Sequence, residues 1–159
     1  MAARRRSRKR SIYTYPRYWY HVSTTLNYKW VHLVPREDGF NRGGDEPDGN
    51  RICVSPSIEQ CITAIPYNLD ARLRIYRTKD KVIADPPKKV FDSNVTEEGW
   101  LHKPTDFILV GRLRLGEVEK GLKVDHVVEE AASSGHAPAS GRVLRWWKRA
   151  KIDRFIKRA

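Results

Sequence analysis

Arg51-Ile-Cys-Val-Ser-Pro-Ser-Ile-Glu-Gln-Cys-Ile-Thr-Ala-Ile65 changes its hydrophobic period halfway along. Residues 51–54 read as a short apolar strand. Ile58, Cys61, Ile62 and Ile65 then recur at i, i+3, i+4 and i+7, which is one face of a helix. The turn between them, Ser55-Pro56-Ser57, offers two caps. Ser55 can cap with Pro56 at the first helical position, or Ser57 can cap with Gln60 three residues on as a capping box. Either way a helix over 57–65 is predicted to emerge from a strand. Such a helix start presents free N–H groups and the positive end of the dipole, a geometry that holds phosphate. Arg51 stands close by in sequence.

On either side, further strands are expected. Residues 18–23 and 28–34 are rich in aromatic and β-branched side chains. In 71–77, Leu73 and Ile75 alternate with Arg72, Arg74 and Tyr76, and a short run follows at 81–84. The segment 106–115 contains a continuous apolar stretch, Phe107 to Val110, which suits a central strand. Between strands, residues 35–50 hold four glycines and two prolines without periodicity. A loop of that length suits a lid over a ligand. Residues 121–128 read as a last strand or a short helix, and 129–141 as a flexible linker.

Residues 142–158 have the helix-forming composition of Leu, Trp, Lys, Arg and Ala, although their apolar positions do not form one stripe. Val143, Trp146, Trp147 and Ala150 share a helical face, while Ile152, Phe155 and Ile156 drift round it. The expectation is therefore an α+β (mixed α/β) fold: a twisted central sheet with few helices, plus a basic C-terminal helix. Its organisation reads as a basic disordered arm at 1–11, one globular domain at 12–128, the linker at 129–141 and the helix at 142–159.

The 159 residues carry a formal charge of +12, and its distribution matters more than its size. Residues 1–10 hold six basic side chains and no acid, and residues 142–159 hold eight against Asp153 alone. Between these ends 17 basic and 18 acidic residues nearly cancel. Charge concentrated in this way favours a polyanionic or phosphate-bearing partner. Arg4, Arg5 and Arg6, with Arg145, Lys148 and Arg149, are the candidates for gripping a nucleic-acid backbone. In residues 11–20, Tyr13, Tyr15, Tyr18, Trp19 and Tyr20 are interleaved with Arg17, a pattern that suits either base stacking or an ordinary strand.

Cys53 and Cys61 lie among apolar neighbours eight positions apart, which favours buried thiols and a reducing, cytoplasmic compartment. His21, His32, His102, His126 and His136 show no metal-ligand spacing with them. No Walker loop and no G-x-G-x-x-G follows a strand. No apolar run approaches the roughly 18 to 20 residues of a spanning helix, and no membrane partner is expected.

The remaining chemistry sits at strand ends. His21 and Ser23 are two apart on an early strand and share a face. Arg36 follows the second strand, Arg51 opens the third, and Ser55 and Ser57 occupy the turn. Glu98 and Trp100 precede the central strand. A histidine, two arginines and a helix start suit the phosphate and sugar of a nucleotide, with Trp100 or Tyr20 for base stacking. His21 and Glu98 are the candidate acid–base groups.

The order of Tyr20-His-Val-Ser23, Val34-Pro-Arg36, an acidic loop, the Arg51–Cys61 block and Glu98-Gly-Trp100 resembles a group of small phage and prophage proteins. More distantly, His-x-Ser on a first strand and a later strand ending in a Ser-rich turn into a helix are similar to the ADP-ribosyltransferase-like fold, including RNA 2′-phosphotransferase-like members. That resemblance implies that His21 and Ser23 match the nicotinamide-side strand, and that Ser55 and Ser57 match the turn after the second motif strand. Glu117-Val-Glu119 then mimics the Glu-x-Glu of arginine-modifying members. It also implies NAD or an ADP-ribose derivative as a cofactor, and the cytoplasm of an infected bacterial host as the setting.

Three functions follow as expectations. The first is a non-catalytic binder of a nucleotide, cyclic nucleotide or NAD-derived signal, of the phage counter-defence type. The second is an ADP-ribosyl-transferring or NAD-consuming enzyme. The third is a DNA- or RNA-binding protein acting through its basic ends. Self-association into a homo-oligomer stays open.

Overall fold

The computed structural model describes residues 11–36, 49–64, 72–88, 93–114, 141, 144–145, 147–149 and 151–159. The basic arm with Arg4, Arg5 and Arg6, most of the 35–50 loop, the 121–128 element, the linker and Glu117-Val-Glu119 lie outside the described residues.

The fold is mostly β. A five-stranded antiparallel sheet contains β1 (Tyr20–Ser23), β4 (Arg72–Thr78), β6 (Thr105–Arg114) and β2 (Trp30–Leu33) in that order, with β7 (Lys157–Arg158) also paired to β6. A small second sheet pairs β3 (Ile52–Val54) with β5 (Gly99–Leu101). Among the described residues the helices are short: α1 (Ile58–Thr63), the single turn α2 (Ser93–Thr96) and the helical residues 144–145 and 147–149. The expected sheet and its central strand are present. Of the two caps open in the sequence, Ser57 is the one used: its Oγ accepts the Gln60 N–H at 3.2 Å and donates to Gln60 Oε1 at 2.8 Å.

The expected C-terminal helix over 142–158 is not formed. Residues 144–145 and 147–149 are helical, but Lys151 takes a left-handed conformation (φ 51°) that stops the helix. A 3-10 turn over Ile152–Phe155 and the strand β7 follow. The drifting apolar positions explain why. No single helical face could bury Trp147, Ile152 and Ile156 together, and all three are buried here in one cluster. Breaking the helix lets each reach the core. The run at 81–84 forms only an isolated bridge from Val82 to Arg17, and β5 occupies a segment whose sequence suggests a loop.

One irregularity organises the sheet. Ile75 pairs with Gly111 and Tyr76 with Leu109, so Val110 has no partner in β4 and forms a bulge. Residues directly opposite in a sheet share a face, and an extra residue exchanges the faces beyond it. On one side of the bulge, Leu73, Ile75 and Leu113 pack under Val22, α1 and Trp147. On the other, Tyr76, Phe107 and Leu109 pack with Trp19, Val31, Ile52 and Val54. The same sheet thus buries opposite faces at its two ends.

Gly111 is needed beside the bulge. A Cβ there would lie 2.4 Å from Ile156 Cγ2 and 3.2 Å from the Lys157 carbonyl, forcing β7 away.

Candidate functional site

β3 joins the two sheets. The Arg51 N–H donates to the Arg36 carbonyl at 3.2 Å, while Ser55 and Tyr20 exchange backbone hydrogen bonds of 3.0 and 2.8 Å. The hydrogen-bonded path therefore runs from β1 through β4, β6 and β2 to β3 and back to β1. Along an extended strand, residues 51, 53 and 55 turn their backbone groups to the same edge. Among the described residues, the middle one, Cys53, pairs with no strand there. Its carbonyl is satisfied instead by His21 Nδ1 at 3.0 Å.

This contact fixes the chemistry of His21. A carbonyl can only accept, so Nδ1 carries the proton and Nε2 is the acceptor. Burial holds the imidazole pKa below its ordinary 6.5, partly offset by the Cys53 carbonyl, and the nearby Arg36 charge lowers it further. The ring is neutral at pH 7. It packs 5.9 Å from Phe107.

Arg51 opens the same strand and is only 7% exposed, with its guanidinium 4.0 Å from the centroid of the Trp100 ring. Trp100 pairs with Cys53 across the small sheet, so Arg51, Cys53 and Trp100 lie on one face. The indole N–H donates to Glu98 Oε1 at 2.8 Å, and both Trp100 and Glu98 are buried. The Tyr13 hydroxyl donates to the Glu98 carbonyl at 2.7 Å, and burial with the charges of Glu97 and Glu98 pushes that phenol up to about 12. Glu97 itself holds a left-handed φ of 47° and accepts from Gln60 Nε2 at 3.1 Å, tying this loop to α1.

Five of the residues singled out in the sequence thus meet at one seam: His21, Arg36, Arg51, Glu98 and Trp100. The serines do other work. Ser23 Oγ accepts from the N–H groups of Thr25 and Leu26 and shapes the turn after β1. Ser55 is buried in the bridge to Tyr20, and Ser57 caps α1. Trp100 has its face under Arg51 and lies perpendicular to the His102 ring, and Tyr20 packs against the core. Solvent-exposed aromatic surface lies instead at Tyr15, Tyr18, Tyr28 and Trp30.

Sequence reasoning missed Cys53 as the histidine's partner. The signal was the apolar strand itself, whose carbonyl on that edge needs a donor from outside the ladder. Among the described residues neither cysteine is in a disulfide, Cys61 being buried and Cys53 partly so; burial pushes the Cys61 thiol up to about 12, and its Sγ donates to the Tyr20 carbonyl at 3.4 Å. Among the described residues no group of histidine, cysteine or acidic side chains could hold a metal ion, and no helix is long and apolar enough to cross a membrane.

No family model, no curated protein and no solved structure matches this chain.

Proposed function

We propose that the chain binds a phosphate-bearing small molecule of the nucleotide class at the β3 seam, without transforming it. The observation that carries this reading is the buried Arg51 guanidinium, stacked on Trp100 and presented beside Arg36 and the neutral His21. A stacked arginine keeps its planar donor fork in one orientation, which suits the paired oxygens of a phosphate. A neutral imidazole with Nε2 as acceptor suits a hydroxyl or a base N–H. A nucleotide offers both kinds of group in one molecule.

The binding reading is favoured over a transferase by the engagement of Glu98, whose Oε1 accepts from the adjacent indole. In the phage setting that the motif order implies, holding such a molecule tightly would remove a host nucleotide signal without any catalytic group. NAD and ADP-ribose derivatives belong in the same ligand panel.

The test is native mass spectrometry of the protein mixed with cyclic dinucleotides, NAD and ADP-ribose derivatives, followed by denaturation. A binder returns its ligand at unchanged mass. Release of nicotinamide or of a modified product establishes the enzyme instead. Arg51→Ala is expected to weaken binding at least tenfold. The exposed Arg36→Ala serves as a second variant whose folding does not depend on a buried stack. Wild-type affinity in both would exclude the seam as the site.

A further inference from the structure

The strand register places four arginines in two facing pairs on one face of the large sheet. Arg72 lies opposite Arg114, and Arg74 opposite Arg112, with Lys157 of β7 next to Arg112 on its other side. Arg72, Arg112 and Arg114 are exposed and Arg74 is partly so. Facing residues stand about 5 Å apart and second neighbours along a strand about 7 Å apart, so the four guanidiniums crowd a small area. Among the described residues none of the four meets a carboxylate: ion pairs there join His32 to Asp106, His102 to Asp85 and Arg158 to Asp153. Arg74 bonds the neutral Asn27 amide and the Arg72 carbonyl.

Like charges directly opposite in a sheet repel, and this arrangement has four of them without a counter-charge among the described residues. The geometry points to this face as a binding surface for a nucleic-acid backbone, held through its phosphates and without sequence preference. Charge complementarity selects the partner: a flat row of guanidinium forks matches repeated phosphates. Sequence readout in a duplex groove needs a protruding helix or ribbon, which the described residues of this face do not present. The surface lies beyond the bulge from the buried Tyr76 end and is independent of the nucleotide reading at the seam.

The bulge explains how the arginines come to be here. Residues 72, 74, 112 and 114 share a face with Tyr76 and Leu109, which are buried further along. Exchange of the buried face at Val110 releases this end of that face to solvent.

The experiment measures binding of a labelled oligouridylate and of a labelled DNA duplex across a salt series, with phosphatidylserine vesicles in parallel. Replacing Arg72, Arg74, Arg112 and Arg114 together by Gln is expected to reduce the slope of log K against log salt by about 3, at roughly 0.7 to 0.9 for each phosphate no longer neutralised. The pair Arg112→Gln and Arg114→Gln should remove about half of that, and replacement of all four by Lys should retain the slope. A thermal midpoint equal to or above that of the wild type verifies the fold of each variant. Unchanged affinity and slope in the fourfold Gln variant overturn the proposal. So does arginine-dependent binding to the vesicles without binding to either nucleic acid. Arg51→Ala should leave the slope unaltered, which separates this surface from the seam.

Discussion

The two ends of the central sheet solve the burial problem in opposite ways. Toward β2, the sheet buries Tyr76, Phe107 and Leu109 beneath β3 and Trp19, with strands closing over them. Toward β7, it buries Leu73, Ile75 and Leu113 on the other face beneath α1, Trp147, Ile152 and Ile156. One end is closed by hydrogen-bonded strands and carries the polar seam. The other is closed by side chains from short, irregular segments and leaves a basic face outside. The difference shows how one extra residue lets a single small sheet serve two unrelated surfaces.

The sharpest way to break this arrangement is to insert one residue between Ile75 and Tyr76. Val110 then gains a partner in β4, and one end must turn its buried face outward, since a one-residue shift moves every side chain beyond it to the other face. Loss of the cooperative unfolding transition is expected in circular dichroism. A retained transition would show that β6 tolerates regular pairing. Next in size, Trp147→Ala removes the largest anchor of the irregular end, and about 3–5 kcal/mol of stability should go with it in urea denaturation. A loss below about 1 kcal/mol would mean that the C-terminal segment merely rests on the sheet.

His21 gives the strand-closed end a pH signature. Its folded pKa lies below 6.5, so the unfolded chain binds more protons as pH falls from about 6.5 toward the folded value. Stability is full above that range and declines through it, with a limiting slope of about 1.4 kcal/mol per pH unit. His21→Gln should remove this decline, as followed by urea midpoints between neutral and mildly acid pH. An identical pH profile would show that the imidazole does not titrate with folding. The smallest effect belongs to the basic face: Arg112→Gln relieves facing charges and should raise stability by about 0.2–1 kcal/mol. A destabilised variant would reveal a structural role for that guanidinium.

Local pattern made much of this legible. The strands expected from β-branched and aromatic content, from alternation and from the continuous apolar run became β1, β2, β4 and β6 within two residues of their expected bounds, and the i, i+3, i+4 series became α1. The residues of the seam were also identifiable one by one, because strand ends carried the polar side chains. Their meeting was not. It depends on the single bridges at Arg36–Arg51 and Tyr20–Ser55, which join residues far apart and leave no periodic trace. The last strand escapes sequence reasoning for a related cause. Leu, Trp, Lys and Arg favour helix locally, but burial of Ile152 and Ile156 against β6 outweighs propensity. β5 is too short, at three residues, to show alternation.

The closing bridges also bear on how copies of the chain meet. An exposed strand edge is a template for a second molecule, and proteins blunt such edges with short strands, charges or coverage. Here the outer side of β1 is occupied at Tyr20 by Ser55, that of β2 continues to Arg51 through Arg36, and β5 is covered at Trp100 by Asp85. Among the described residues the remaining tip, β7, is two residues long and both are cationic. Edge-to-edge stacking into fibres is therefore discouraged by the same contacts that assemble the seam.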